Sequence, residues 1–298
     1  MPEIILHLGA HRTASTYVQG VLGKNAALLA AHGIFAPKQE ITRATLTESL
    51  GSALPGFALG RVFERFLEMA GAKTARSLII SDENMPGFLN NIFAHARFYP
   101  ETRPRLQRLR QLLPVAPRRV LFNIRPYETF FASAYGRWLS PGRPVLPRAV
   151  IAETVLGLQR GWADIVAEIA GVFPESELVI SEYHSDDSFG PRQLHRILGP
   201  LADELEFTSG YRWNRGMSGY QTMRYERALQ EGAHNGLDAE SIRALNRGGQ
   251  PPLSEDFWDG TTRDTLRRRY NGDCARLSAQ YPAFVRANRN LPRDAGGF

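Results

Sequence analysis

The chain reads as an α/β protein, a mainly parallel sheet with helices on both faces. Three observations predict that class. Apolar runs of strand length alternate along the chain with segments of helical period. The first run, Ile4–Leu8, stops at Gly9 and passes through a hydroxyl-rich loop into a helical pattern. A later run, Arg118–Ile124, stops at Arg125-Pro126 and again feeds a helix. Strands that feed helices in this way belong in a parallel sheet covered on both sides. A chain of 298 residues can bury one sizeable core. We read residues 1–292 as a single domain with helical insertions and 293–298 as a flexible tail.

The elements follow in order. After the first loop, Tyr17, Val18, Val21, Leu22, Leu28 and Leu29 keep helical spacing, and Gly33 closes the helix as the residue after its C-cap. Ile34-Phe35 adds a short strand. Residues 41–56 are polar, with weak helical signals, and Phe57–Ala70 is an amphipathic helix. Ser77–Ser81 is a strand ending at Asp82-Glu83. Arg105–Leu113 is a basic helix leading to the Arg118–Ile124 strand. Pro126 suits the start of the next helix, Tyr127–Leu139. A Pro-rich loop over 140–147 reads as an insertion over the site. A helix near Leu158–Ala170 feeds a strand at Glu177–Ser181. Helices near Phe189–Leu198, Gly219–Gln230, Ala239–Leu245 and Thr262–Ser278 complete the pattern. Ligands of such sheets bind at the carboxyl ends of the strands. The loop 9–16, Asp82-Glu83, Arg125 and the segment from Glu182 to His184 all fall at such ends and share one crevice in this reading.

Composition narrows the partners. The net charge is +6, and only three of the 36 basic residues are lysines, Lys24, Lys38 and Lys73. Arginine grips phosphate or sulfate through a planar, bidentate fork. The arginines are scattered, and the densest cluster, Arg267-Arg268-Arg269, sits in a helical pattern as a solvated face. No basic tract with interleaved aromatics points to nucleic acid. Cys274 is the single cysteine, so the chain can form no internal disulfide and no cysteine-based metal site. No apolar run approaches the length of a membrane span. Met1-Pro2-Glu3 leads directly into the first strand without a signal-like segment, which makes the cytoplasm the expected compartment.

The loop Gly9-Ala10-His11-Arg12-Thr13-Ala14-Ser15-Thr16 carries the strongest chemical signal. Backbone N–H groups and the helix dipole at a strand–loop–helix junction favour an anion. A Walker A loop would need Gly at 14 and Lys at 15, where this chain has Ala14 and Ser15. The eight residues resemble instead the phosphosulfate loop of sulfotransferases, G-x-x-[KR]-[ST]-[GA]-[ST]-[ST]. A second segment joins it. Arg125 ends a strand and Ser133 lies roughly two turns into the next helix, about 9–12 Å along its axis. An extended Arg side chain covers much of that gap, so the two can share one anion. Arg125-Pro126-Tyr127 followed by Ser133-Ala134-Tyr135 is similar to the 3′-phosphate motif of the same family. Asn214-Arg215-Gly216-Met217-Ser218-Gly219 resembles the segment that closes over the nucleotide in its cytosolic members, with one basic residue missing.

The resemblance implies a P-loop-type α/β domain and 3′-phosphoadenosine 5′-phosphosulfate (PAPS) as co-substrate, with no metal. It implies that Gly9 to Thr16 hold the 5′-phosphosulfate, and that Arg125, Ser133, Arg215 and Gly216 hold the 3′-phosphate. Arg12 stands beside the leaving oxygen, where the family more often has Lys. Catalysis of this kind rests on positioning and electrostatic stabilisation. An acceptor hydroxyl needs a general base. Glu83 in Ser81-Asp82-Glu83 matches the Ser-x-Glu that ends the second strand of carbohydrate-modifying and bacterial members, and His11 is the alternative base. His7 reads as a packed, hydrogen-bonded histidine, and His184 as a possible substrate contact. The acceptor is a small molecule or glycan, and the sequence does not identify it. Two other readings stay open. Leu78–Glu83 resembles a Walker B strand, which favours a P-loop kinase or nucleotide hydrolase using Mg-ATP. The positive charge also permits a non-catalytic nucleotide- or nucleic-acid-binding module.

Overall fold

The computed structural model describes residues 2–51, 56–139, 143–207, 226, 257–282 and 284. Its centre is a five-stranded sheet of β1 (Glu3–His7), β2 (Ile34–Phe35), β3 (Ser77–Ser81), β4 (Arg119–Ile124) and β5 (Glu177–Glu182). The spatial order is β2-β3-β1-β4-β5 and every pairing is parallel. This is the α/β class that the alternating pattern predicts.

Side chains of a strand alternate between faces. Ile4, Leu6, Leu78, Ile80, Val120, Phe122, Ile124 and Ile180 belong to the larger core. Ile5, Ile79 and Leu121 belong to the smaller one. The smaller core is closed by α1 (Ser15–Lys24), α2 (Ala26–Ala31) and α10 (Phe189–Leu198). Helices α1 and α10 approach closely at Gly190, where a Cβ would run into the Tyr17 ring. The larger core is closed by α4 (Gly56–Met69), α5 (Asn90–His95), α6 (Thr102–Leu112), α7 (Tyr127–Trp138), α8 (Arg148–Leu156), α9 (Trp162–Val172) and α11 (Gly260–Gln280).

Several boundaries differ from the sequence reading. The helix after the first loop breaks at Asn25, whose side chain donates to the Val21 carbonyl at 2.9 Å and exchanges hydrogen bonds with the Glu206 backbone. Gly33 does close the second piece, at φ +70°. The weak signals after residue 38 resolve into α3 (Gln39–Thr42) and a π-helical turn, Arg43–Thr47. Helix α9 starts at Trp162 rather than Leu158, because the Asp164 carboxylate accepts the Gly161 N–H and fixes the N-terminus there. Helices α5 and α8 have no counterpart in the sequence reading. The expected helices over 219–230 and 239–245, Arg215, Gly216 and the tail 293–298 lie outside the described residues, apart from Glu226.

Strand order locates the crevice. β1 leaves toward α1 on one face, and its neighbour β4 leaves toward α7 on the other. Adjacent strands whose connections diverge leave a gap at their carboxyl ends, where ligands of parallel sheets bind. The β1–α1 loop and Arg125 border that gap.

Candidate functional site

The loop after β1 is tied to β4 from its first residues. The Asn123 N–H donates to the Gly9 carbonyl at 2.6 Å, and the Ala10 N–H to the Asn123 carbonyl at 3.1 Å. Gly9 has φ +77°, and a Cβ on it would stand 2.8 Å from that of Glu83, so only glycine fits. Arg12 and Ala14 also have positive φ, 63° and 65°. Left-handed residues in such a loop can turn neighbouring N–H groups to one side, as in an anion-binding nest. Among the described residues no carbonyl or side chain accepts from the N–H groups of Arg12, Thr13, Ala14 or Ser15. The hydroxyls are less available. Thr13 Oγ1 donates to the Ala10 carbonyl at 2.6 Å and Ser15 Oγ reaches it at 3.4 Å, so both close the loop from inside.

Arg125 and Ser133, expected to share one anion directly, are joined through a third residue. Arg12 Nε donates to Ser133 Oγ at 2.7 Å. Arg125 Nη1 donates to the Arg12 carbonyl at 2.7 Å, and its Nε to Thr129 Oγ1 at 3.0 Å. Its guanidinium lies 4.8 Å over the Tyr183 ring. Arg137, one turn beyond Ser133 on α7, adds a third positive charge toward Arg12. Partial burial pulls the Arg12 guanidinium below the usual arginine range, and Arg137 adds to the effect. Arg125 is lowered to about 10, by burial and by Arg12, with Tyr183 acting the other way. Both stay charged at neutral pH. Among the described residues neither forms a salt bridge with a carboxylate. A guanidinium has five N–H donors. One on Arg12 and two on Arg125 are used above, and the others can serve an anion.

Glu83 stands on the opposite side of the loop, and it is heavily engaged. It accepts from Gln19 Nε2 at 3.1 Å, from Gln39 Nε2 at 3.0 Å and from Arg43 Nη2 at 2.8 Å. Burial would lift its carboxyl. The neighbouring His11, its own N–H, Arg43 and Gln19 outweigh burial and hold it below the usual carboxylate range. Asp82 is fully buried. It takes Arg43 Nε at 3.2 Å, Thr47 Oγ1 at 2.7 Å and both the N–H and side-chain amide of Asn84. Burial raises its carboxyl, with the Thr47 bond opposing. The π-helical turn aligns Arg43 and Thr47 on these two carboxylates.

His11, the alternative base, is enclosed. Its Nδ1 lies 2.7 Å from the Tyr99 hydroxyl and its Nε2 2.9 Å from Asn84 Oδ1. His7 is fully buried, with Nδ1 2.8 Å from Ser81 Oγ, and burial lowers its pKa to about 4. His184 is partly buried just beyond β5.

Sequence reasoning did not find Arg43, Gln19, Gln39, Asn84, Tyr99 or Arg137. Gln19, one turn past Ser15 on α1, and Asn84, next to Glu83, had positional signals. Tyr99 had none, since it meets the loop across 88 residues.

These features define a parallel-sheet α/β protein whose carboxyl edge gathers arginines on one side of a glycine-anchored loop and a bridged carboxylate pair on the other. No family model, curated protein or solved structure matches the chain. No helix among the described residues is long and apolar enough to cross a membrane.

Proposed function

We propose that this protein is a sulfotransferase that moves a sulfuryl group from PAPS to a hydroxyl or amine acceptor on a small molecule or glycan. The observation that carries the reading is the pair Arg12 and Arg125. They project from adjacent strand ends, partly buried and in contact, with no carboxylate partner among the described residues. Two like charges held together in a partly dry site favour an anion between or beside them. The N–H groups of Arg12, Thr13, Ala14 and Ser15, which meet no acceptor among the described residues, supply a second anion position close by. Two anion positions fit a nucleotide phosphorylated at both 3′ and 5′.

The nucleotide would supply the activated sulfuryl group. The chain's own residues do the rest. Arg12 stays protonated and stabilises charge that develops at the leaving oxygen. Ser133 fixes its direction through Nε, and Arg125 fixes its backbone through the carbonyl. Glu83 is the base nearest the loop. It can take a proton only when Gln19 or Gln39 yields one of its lone pairs. His11 is a poorer base, because its ring nitrogens are both occupied.

The kinase reading has less support. Asp82, the Walker B-like carboxylate, is fully buried, with Oδ1 taken by Arg43 and Asn84 and Oδ2 accepting from Thr47. Ligand-dependent melting separates the readings. A ligand present at 100 times its Kd stabilises the native state by about 2.7 kcal/mol. Adenosine 3′,5′-bisphosphate should raise the Tm in the presence of a chelator. A shift only with Mg-ATP would transfer the protein to the kinases. A shift only with DNA or RNA, collapsing with salt, would make it a nucleic-acid-binding module.

A further inference from the structure

Tyr99 is fully buried, yet its φ is +45°, a left-handed conformation that a tyrosine rarely adopts. Strain of this kind persists where the surroundings over-determine it. Here they do. The ring packs edge-on against Phe98 with centroids 5.2 Å apart, and 6.1 Å from Trp162. The hydroxyl then makes two bonds to one residue of the loop. It accepts the His11 N–H at 3.2 Å and meets His11 Nδ1 at 2.7 Å.

The proton assignment follows from the partners. Asn84 Oδ1 can only accept, so His11 Nε2 carries the proton at that contact. Nδ1 is then a lone pair, and the Tyr99 O–H donates to it. The network is closed and self-consistent, with His11 neutral in the Nε2–H form. It occupies the His11 N–H and fixes the backbone one residue before Arg12.

The same aromatic cluster holds the other half of the site. Trp162 Nε1 donates to the Arg125 carbonyl at 2.8 Å. The Trp162 N–H is held in turn by Tyr127 Oη at 2.7 Å and Asp273 at 2.8 Å. Tyr99 and Trp162 therefore grip the two arginine-bearing segments from one packed unit.

The geometry points to Tyr99 as a positioning residue: its hydroxyl clamps His11 in a neutral, single tautomer and so holds the loop in the form that presents Arg12 to an anion. This inference rests on the anion-site reading above, and its test separates the two. The charged groups facing His11 are Glu83 and Asp82 beyond β3 and Arg43 from the π-helical turn. The two carboxylates favour its protonation and Arg43 opposes it. Burial outweighs the carboxylates and keeps the imidazole below its ordinary range.

The experiment compares the full chain with Tyr99→Phe, which removes one oxygen and keeps the ring. Nitrogen NMR shifts of the histidine rings are followed between pH 5 and 8, and adenosine 3′,5′-bisphosphate binding is measured by calorimetry. In the wild type, His11 should hold the Nε2–H tautomer at neutral pH and protonate only below the ordinary histidine range. In Tyr99→Phe the Nδ1 lone pair loses its donor, so the ring nitrogen shifts should move away from the fixed Nε2–H pattern, and bisphosphate affinity should fall about tenfold, the loss of a single hydrogen-bond clamp. A wild-type His11 that titrates normally overturns the clamp without any variant, even if Tyr99→Phe fails to fold. Unchanged His11 spectra in the variant overturn it as well. Altered spectra with undiminished affinity overturn the positioning role. A wild type that binds no bisphosphate removes that role together with the anion-site reading, and the spectra then decide the clamp alone.

Discussion

Replacing Arg125 with alanine tests how the site divides its work. Arg125 has two duties in the structure. It donates to the Arg12 carbonyl at 2.7 Å, which supports the loop, and the N–H groups not used there or on Thr129 can serve an anion. A charge-assisted hydrogen bond is worth about 1.5–3 kcal/mol. Losing one to a 3′-phosphate weakens adenosine 3′,5′-bisphosphate roughly 10- to 150-fold. The bond to the Arg12 carbonyl is charge-assisted too, and its loss weakens any ligand of the loop by at most a comparable factor. Adenosine 5′-phosphate has no 3′-phosphate and should show only that second loss. The preference for bisphosphate over monophosphate should therefore fall about tenfold or more. Calorimetric titration of both nucleotides at about 0.15 M ionic strength, where the Debye length is about 8 Å, reads the ratio directly. A parallel urea denaturation confirms that the variant is folded. Equal losses for the two nucleotides would refute the assignment of Arg125 to the 3′-phosphate and leave it as a support of the loop.

Glu83→Gln should leave bisphosphate affinity within a few-fold and lower sulfuryl transfer by about 10²–10⁴; a near-normal rate would make Glu83 only the tie that joins Gln19, Gln39 and Arg43. Ala14→Gly should stabilise the fold by up to about 1.6 kcal/mol, since a left-handed alanine costs about 1–2 kcal/mol and the freer unfolded glycine returns about 0.4–1. A loss of urea stability in that variant would show that the Ala14 methyl packs against something. His7 has a folded pKa of about 4 against 6.5 unfolded. Between those values the unfolded chain binds more protons, so stability is full above pH 6.5 and falls as pH drops toward 4, by about 3 kcal/mol at most. His7→Gln should flatten that part of the denaturation-versus-pH curve, and an unchanged slope would contradict the assignment.

The order of the strands, the loop after β1 and the two strand-end basic residues were legible in the amino-acid sequence. Their causes are local: apolar period, a glycine where φ must be positive, a proline at a helix start. The strand Arg119–Ile124 and the helix Tyr127–Trp138 differ from the sequence reading by a residue at one end. Boundaries set by a single long-range side chain were not legible. Asn25 breaks the first helix because it meets Glu206, 181 residues away.

The site divides the same way. Sequence alone assembled Gly9, Arg12, Glu83, Arg125 and Ser133 at the carboxyl edge of a parallel sheet, because each ends or follows a recognisable element. Only tertiary structure decided who bonds to whom. Ser133 turns to Arg12 rather than directly to Arg125, and Arg125 turns to the Arg12 carbonyl. Glu83 is tied by Gln19, Gln39 and Arg43, and His11 by Tyr99 and Asn84. Such pairings depend on how α1, α3 and the segment before α6 pack on the sheet. Packing is fixed by the shapes of surfaces distant in sequence, and no periodicity within either partner encodes it.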